Sequence, residues 1–109
     1  MKQIVIVAAA ALALGATAPV LASASLAEEK MCMQCHALKE DGAAPSFQKI
    51  AAKWRGQPHP VRSIAEIARQ GSKEGQPLHW GKARMPDDSE RPLVSEREAR
   101  KLARWILQQ

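Results

Sequence analysis

Cys32-Met33-Gln34-Cys35-His36 decides how the rest of this 109-residue chain is read. Two cysteines three apart, followed at once by a histidine, form the attachment pattern of a c-type haem. The spacing has a chemical reason. On a helix, residues i and i+3 share a face, so both thiols can reach the two vinyl groups on one edge of a porphyrin. His36 is then carried under the ring, where its imidazole can ligate iron from the proximal side.

Other uses of a Cys-x-x-Cys pair fit the surroundings less well. A zinc site wants four ligands, yet Cys32 and Cys35 are the only cysteines, and neither His59 nor His79 stands at His-x₃₋₅-His spacing from another histidine. A thioredoxin-like couple would open a helix after a strand, and no strand-like run precedes Cys32. A small disulfide stays open as an alternative, because exported thiols are usually oxidised.

Export is expected from the N-terminus. Met1-Lys2 gives a short positive region, Ile4 to Ala16 is an apolar, alanine-rich run, and Ala22-Ser23-Ala24 supplies a small-x-small cleavage pattern. The apolar run is short for a bilayer span and is broken by Gly15 and Pro19, so residues 1–24 read as a cleaved signal peptide rather than an anchor. The cut is placed between Ala24 and Ser25, with cuts after Ala22 or Ala27 as alternatives. Residues 25–109 then form one domain in a compartment outside the cytoplasm, a bacterial periplasm, with no stable membrane insertion.

That domain has one Phe, no Tyr and three Trp, a thin apolar supply for a chain of its size. A covalently held haem would add the missing bulk, so the haem-free chain should be poorly structured. The formal net charge of +5 loses Lys2 with the leader and falls further with two haem propionates. A charge so modest, without interleaved basic and aromatic residues, argues against nucleic acid.

The pattern is all-α. Ser25-Leu26-Ala27-Glu28 has capping-box form, with Ser25 as N-cap of a first helix running into the cysteine motif. Phe47, Ile50, Ala51 and Trp54 fall at i, i+3, i+4, i+7 after Ser46 and predict a second helix. Val61, Ile64, Ala65 and Ala68 predict a third, closed by Gly71. Ser95-Glu96-Arg97-Glu98 is another capping box, and Ala99, Leu102, Ala103 and Ile106, with Trp105 beside them, make the buried face of a last helix. Arg97, Arg100, Lys101 and Arg104 lie mostly on its other side and read as a solvated face. Residues 72–94 carry Gly75, Pro77, Gly81, Pro86 and Pro92 and show no periodicity. A loop this long in a small domain usually has a function.

That function is the second axial ligand. Met31 and Met33 are tied beside the proximal histidine, which leaves Met85 in the long loop as the thioether able to reach the far side of the ring. A neutral, soft sulfur favours ferrous iron and raises the potential relative to a second imidazole. His79 is the rival ligand and would give a lower-potential bis-histidine site.

Taken together, residues 25–109 resemble the small bacterial class I cytochromes c, the short one-haem electron carriers of proteobacterial respiratory chains. The likeness rests on the Cys-x-x-Cys-His motif, Pro45 nine residues after His36, Trp80-Gly81 ahead of Met85, and a Trp in the final helix. It implies the class I fold, about four helices wrapped around one haem c attached through Cys32 and Cys35. It further implies that the Pro45 carbonyl accepts the ring N–H of His36, and that Trp80 donates its indole N–H to a propionate. Relatives often carry a proline just before the ligand methionine, where this chain has Arg84. The Gly71–Trp80 segment also looks longer than usual.

With His36 and Met85 on both axial positions, iron has no open site and can only cycle between oxidation states. The sequence therefore predicts a carrier, not an enzyme: a monomer that meets redox partner proteins transiently. Lys39, Lys49, Lys82 and Arg84 are candidates for a positive collar steering acidic docking surfaces. The competing reading is a haem protein whose Met85 dissociates, leaving a peroxidase-like enzyme or gas sensor with His79 as its nearby acid–base residue.

Overall fold

The computed structural model describes residues 17–109, with side chains of the first helix from Ser23 onward. The positively charged start and the apolar run expected at Ile4 to Ala16 lie outside the described residues. The order of elements is α1 (Thr17–Glu29), a 3₁₀ turn (Cys32–Gln34), α2 (Phe47–Trp54), α3 (Pro60–Gln70) and α4 (Glu96–Ile106). There is no strand among the described residues, and the all-α expectation holds.

Each later helix starts where local chemistry prescribes. Ser46 caps α2, its Oγ accepting from Lys49 N–H at 3.1 Å. Pro60 occupies the first turn of α3, where a missing N–H costs nothing. The capping box of α4 is complete: Ser95 Oγ accepts from Glu98 N–H at 3.1 Å, and Glu98 Oε1 accepts from Ser95 N–H at 3.0 Å.

The first helix departs from expectation. It begins at Thr17, so Ser25 is an exposed residue inside it rather than its N-cap, and the expected cut falls within α1. In the uncleaved chain the residues before Ser25 are mostly Ala, Val and Leu, and with nothing to stop the helix there the capping box has no orphan donors to satisfy. The helix also does not run into the cysteine motif. It ends at Glu29, and Met31 turns the chain with a left-handed φ of 62°.

The core is built from Phe47, Ile50, Ile64, Val94, Leu102, Trp105 and Ile106, filled out by Ala27, Ala65, Ala99 and Ala103. The predicted apolar faces of α2, α3 and α4 are the buried ones, and Arg97, Arg100, Lys101 and Arg104 are exposed. α4 is the centre of the packing and touches α1, α2 and α3, most extensively α3. Lys30 locks the end of α1 to this frame: its ammonium, on a side chain only 13% exposed, reaches Glu98 at 3.0 Å and donates to the Leu93 carbonyl at 2.9 Å. No helix among the described residues is long and apolar enough to cross a membrane.

Candidate haem-binding site

The cysteine motif folds as a tight turn. Cys35 N–H donates to Cys32 O at 3.3 Å and His36 N–H to the same carbonyl at 3.0 Å. Residues i and i+3 nearly eclipse in a 3₁₀ turn, so the two thiols share a side for a different local reason from the α-helical one expected. Both thiols are free, and no disulfide joins them. Burial pushes the Cys32 thiol up, against a smaller opposing pull from the Arg91 guanidinium.

His36 is held by its ring. Nδ1 lies 2.7 Å from the Pro45 carbonyl. A carbonyl only accepts, so this nitrogen carries the proton, and in the neutral ring Nε2 is left with its lone pair. Burial lowers the His36 pKa, and the bond to Pro45 only partly offsets it, so the neutral, ligating form is favoured. Phe47 backs the imidazole, stacked at 5.1 Å between ring centroids, and itself meets Trp105 edge-on at 5.2 Å. The ring plane is thus set by a bond on one atom and by packing into α4.

Pro45 is presented by a short, tied loop. Phe47 N–H and Gln48 N–H donate to the Ala37 and Leu38 carbonyls at 2.9 and 3.0 Å. Asp41 accepts from Ser46 N–H at 2.9 Å and pairs with Lys49 at 2.8 Å. The Lys49 hydrogen bond is the main reason the Asp41 carboxyl is held below its ordinary range.

These residues line a cavity of about 480 Å³, within the usual range of cofactor sites. Cys32, Cys35, His36 and Pro45 share it with Trp80 and Met85, so all six residues expected at the site meet there. The rest of the wall is largely apolar, from Phe47, Ile50, Ile64, Ile67, Leu102 and Ile106. Met85 is partly buried, and its backbone is fixed on both sides: Met85 N–H donates to Ser72 Oγ and Ser72 N–H donates to Met85 O, each at 2.9 Å. Trp80 is partly buried with the Lys53 ammonium 5.2 Å and the Lys49 ammonium 6.0 Å from its ring. His79 also borders the cavity but is exposed and sits edge-on to Trp54 at 5.0 Å.

Two thiols, one imidazole lone pair and one thioether around an apolar cavity fit the donor set of haem c. Among the described residues no three or more His, Cys, Asp or Glu side chains converge as a bare metal site would need. The sequence model of the Cytochrome c family matches residues 21–109. The chain belongs to the cytochrome c family. It is 35% identical over 107 residues to cytochrome c-552 of Hydrogenobacter thermophilus, with 98% of this chain and 97% of that one covered. It is 34% identical over 107 residues to cytochrome c-551 of Pseudomonas aeruginosa, covering 92% and 95%. The crystal structure of Nitrosomonas europaea cytochrome c552 superposes with a TM-score of 0.67 at 30% identity, covering 78% of this chain and 96% of that one. As a cytochrome c, the chain has an electron-carrying role and one covalently attached haem c, for which Cys32 and Cys35 are the two thiols available.

Three residues that hold the methionine loop carry no motif. Gly71 reads in the sequence only as a helix stop, yet it is also where the methionine loop touches α3: a Cβ there would lie 2.6 Å from both the Met85 and Pro86 carbonyl oxygens. Ser72 and Arg91 have no spacing that would flag them. Phe47 was visible as a core residue, but not as the wall behind His36.

Proposed function

We propose that this cytochrome is exported to the periplasm, loses residues 1–24, and works as a monomeric single-electron carrier without catalytic activity, with His36 and Met85 as its axial ligands. The observation that carries the reading is the pairing in one cavity of a His36 ring fixed at Nδ1 by the Pro45 carbonyl, 2.7 Å away, with a Met85 whose N–H and C=O are both clamped by Ser72. Haem, when bound, supplies a one-electron iron couple.

The chain's own residues do the rest. Pro45 orients His36 by accepting its Nδ1–H, and that hydrogen bond raises the basicity of Nε2 as a ligand. Phe47 resists tilting of the ring. Ser72 holds Met85 in place, so little rearrangement accompanies a change of charge at the site. The apolar wall keeps water out and favours the less charged, ferrous state. Trp80, with Lys53 and Lys49 at its ring, offers positive charge and an indole N–H to the propionates.

Removal of the leader is supported by the small-x-small Ala22-Ser23-Ala24 pattern that follows the apolar run from Ile4 to Ala16. Transient docking is supported by Met31, Met33 and Leu38, large apolar side chains left exposed in and around the cysteine motif, and by exposed Lys39, Lys82 and Arg84. Lys49 is partly neutralised by Asp41 and contributes less to that collar than its position alone implies.

The test is the visible spectrum of protein exported from a host that attaches haem. A low-spin reduced c-type spectrum, with the weak far-red sulfur–iron band in the oxidised state, is the expected result. Haem without that band would overturn Met85 and turn attention to His79. A high-spin spectrum, or carbon monoxide binding to the native ferrous protein, would favour the labile-methionine enzyme or sensor.

A further inference from the structure

The segment from Gly71 to Ser95 contains no helix, yet it must present Met85 at one place. Ser72 clamps Met85 itself, as described above. The next peptide has a second tether that no motif announces. Arg91 Nε donates to the Pro86 carbonyl at 2.7 Å, and Arg91 Nη2 donates to the Ala68 carbonyl at 2.7 Å. Ala68 is a buried residue in the last turn of α3, the helix most extensively packed on α4.

The chemistry of this bridge is specific to arginine. A guanidinium carries its donors in a rigid plane, so two carbonyls bound to one plane are fixed relative to each other. Bonds from a charged donor are shorter and stronger than neutral ones. Pro86 adds stiffness of its own, because its ring locks φ on the residue after Met85. The short stretch between Pro86 and Arg91 is itself folded: Ser89 N–H donates to Asp87 Oδ1 at 2.9 Å and Glu90 N–H to Asp87 O at 3.2 Å. Arg91 therefore sits at a fixed reach from Pro86 rather than at the end of a slack loop.

We propose that Arg91 is a positioning residue: it pins the Met85-Pro86 backbone to the C-terminal turn of α3 and so holds the Met85 thioether at the distal site against displacement by small exogenous ligands. The proposal rests on Met85 being the distal ligand. A thioether is a weak ligand, and a stronger one displaces it readily when the loop can swing away at little cost. Cutting the bridge lowers that cost without touching Met85, Ser72 or His36.

The experiment uses the haem-loaded protein and imidazole as the probe. Wild type, Arg91→Ala, Arg91→Lys and Arg55→Ala are compared in the oxidised state by the far-red sulfur–iron band and by imidazole titration. Arg55 is the control tether, an exposed arginine whose Nη2 donates to the Leu107 carbonyl at the end of α4, 2.9 Å away. Arg91→Ala should weaken the band and tighten imidazole binding about tenfold, the equivalent of one charge-assisted hydrogen bond. Arg91→Lys keeps the charge but not the rigid fork and should fall between. Arg55→Ala should bind imidazole as wild type does.

Wild-type band and imidazole affinity in Arg91→Ala would overturn the proposal, as would an equal gain in Arg55→Ala. If only Arg91→Lys matures, wild-type affinity in that variant overturns it. Absence of the band from the wild-type protein would instead sink Met85 as the ferric ligand, and Arg91's role with it.

Discussion

Gly71 is the residue where backbone conformation and site geometry meet most closely. Its φ of 68° is one that side chains resist, and its missing Cβ leaves room for the Met85 and Pro86 carbonyls. Gly71→Ala should cost about 1–3 kcal/mol from overpacking alone and should also weaken the far-red band, read from urea unfolding and the oxidised spectrum together. Asp41 acts on the other side of the site, tying the loop that carries Pro45. Its pKa is lowered in the folded state, so its contribution is fully present above the unfolded value of about 3.9 and is lost as the pH falls through the lower folded value. Asp41→Asn should therefore be less stable than wild type at neutral pH, with the gap closing in acid. Paired thermal melts across that range check it, and a gap that persists in acid would argue that Asp41 acts without its charge.

Among the elements, α4 has the most to lose. Its first turn is satisfied by Ser95 and Glu98, and the same Glu98 carboxylate takes the Lys30 ammonium. The bond to Ser95 N–H is the first cause of the lowered Glu98 pKa, ahead of the Lys30 bond. Ser95→Ala should cost about 1 kcal/mol, as loss of an N-cap usually does. Glu98→Ala removes a cap bond and the tie to α1 together and should cost more, by urea unfolding of both variants in one buffer. Equal losses would mean that the Lys30 bridge adds nothing. α1 differs in kind from α4, for its beginning depends on whether the residues before Ser25 are still attached.

For the molecule as a whole, the core is small and the cavity sits inside it. Ile50, Ile64, Leu102 and Ile106 belong both to the core and to the cavity wall. Without the cofactor they would face an apolar space with too few partners, and dispersion contacts would be forfeited on that side. A Cys32→Ala, Cys35→Ala double variant, which cannot hold haem covalently, should show much less helix by circular dichroism than the mature protein and a broad, weakly cooperative melt. Native helix content and a sharp transition in that variant would show that the chain folds on its own packing.

The attachment motif, the all-α class, the extents of α2, α3 and α4 to within a residue or two, and Met85 as the sulfur of the long loop were all legible before any folding was considered. All of these are written in consecutive residues: fixed cysteine spacing, helical periodicity, caps and breakers. Pro45 and Trp80 were legible only through the family's pattern, since nothing in their own neighbourhood names a partner. The tertiary structure alone decided the stack of Phe47 on His36, the close approach at Gly71, and the tethers of Ser72 and Arg91. Those depend on where the loop after α3 returns, joining residues 13 and 23 apart in sequence. A loop without periodicity carries no local record of its path, because its course is fixed by a few directional bonds to groups that only folding brings within reach.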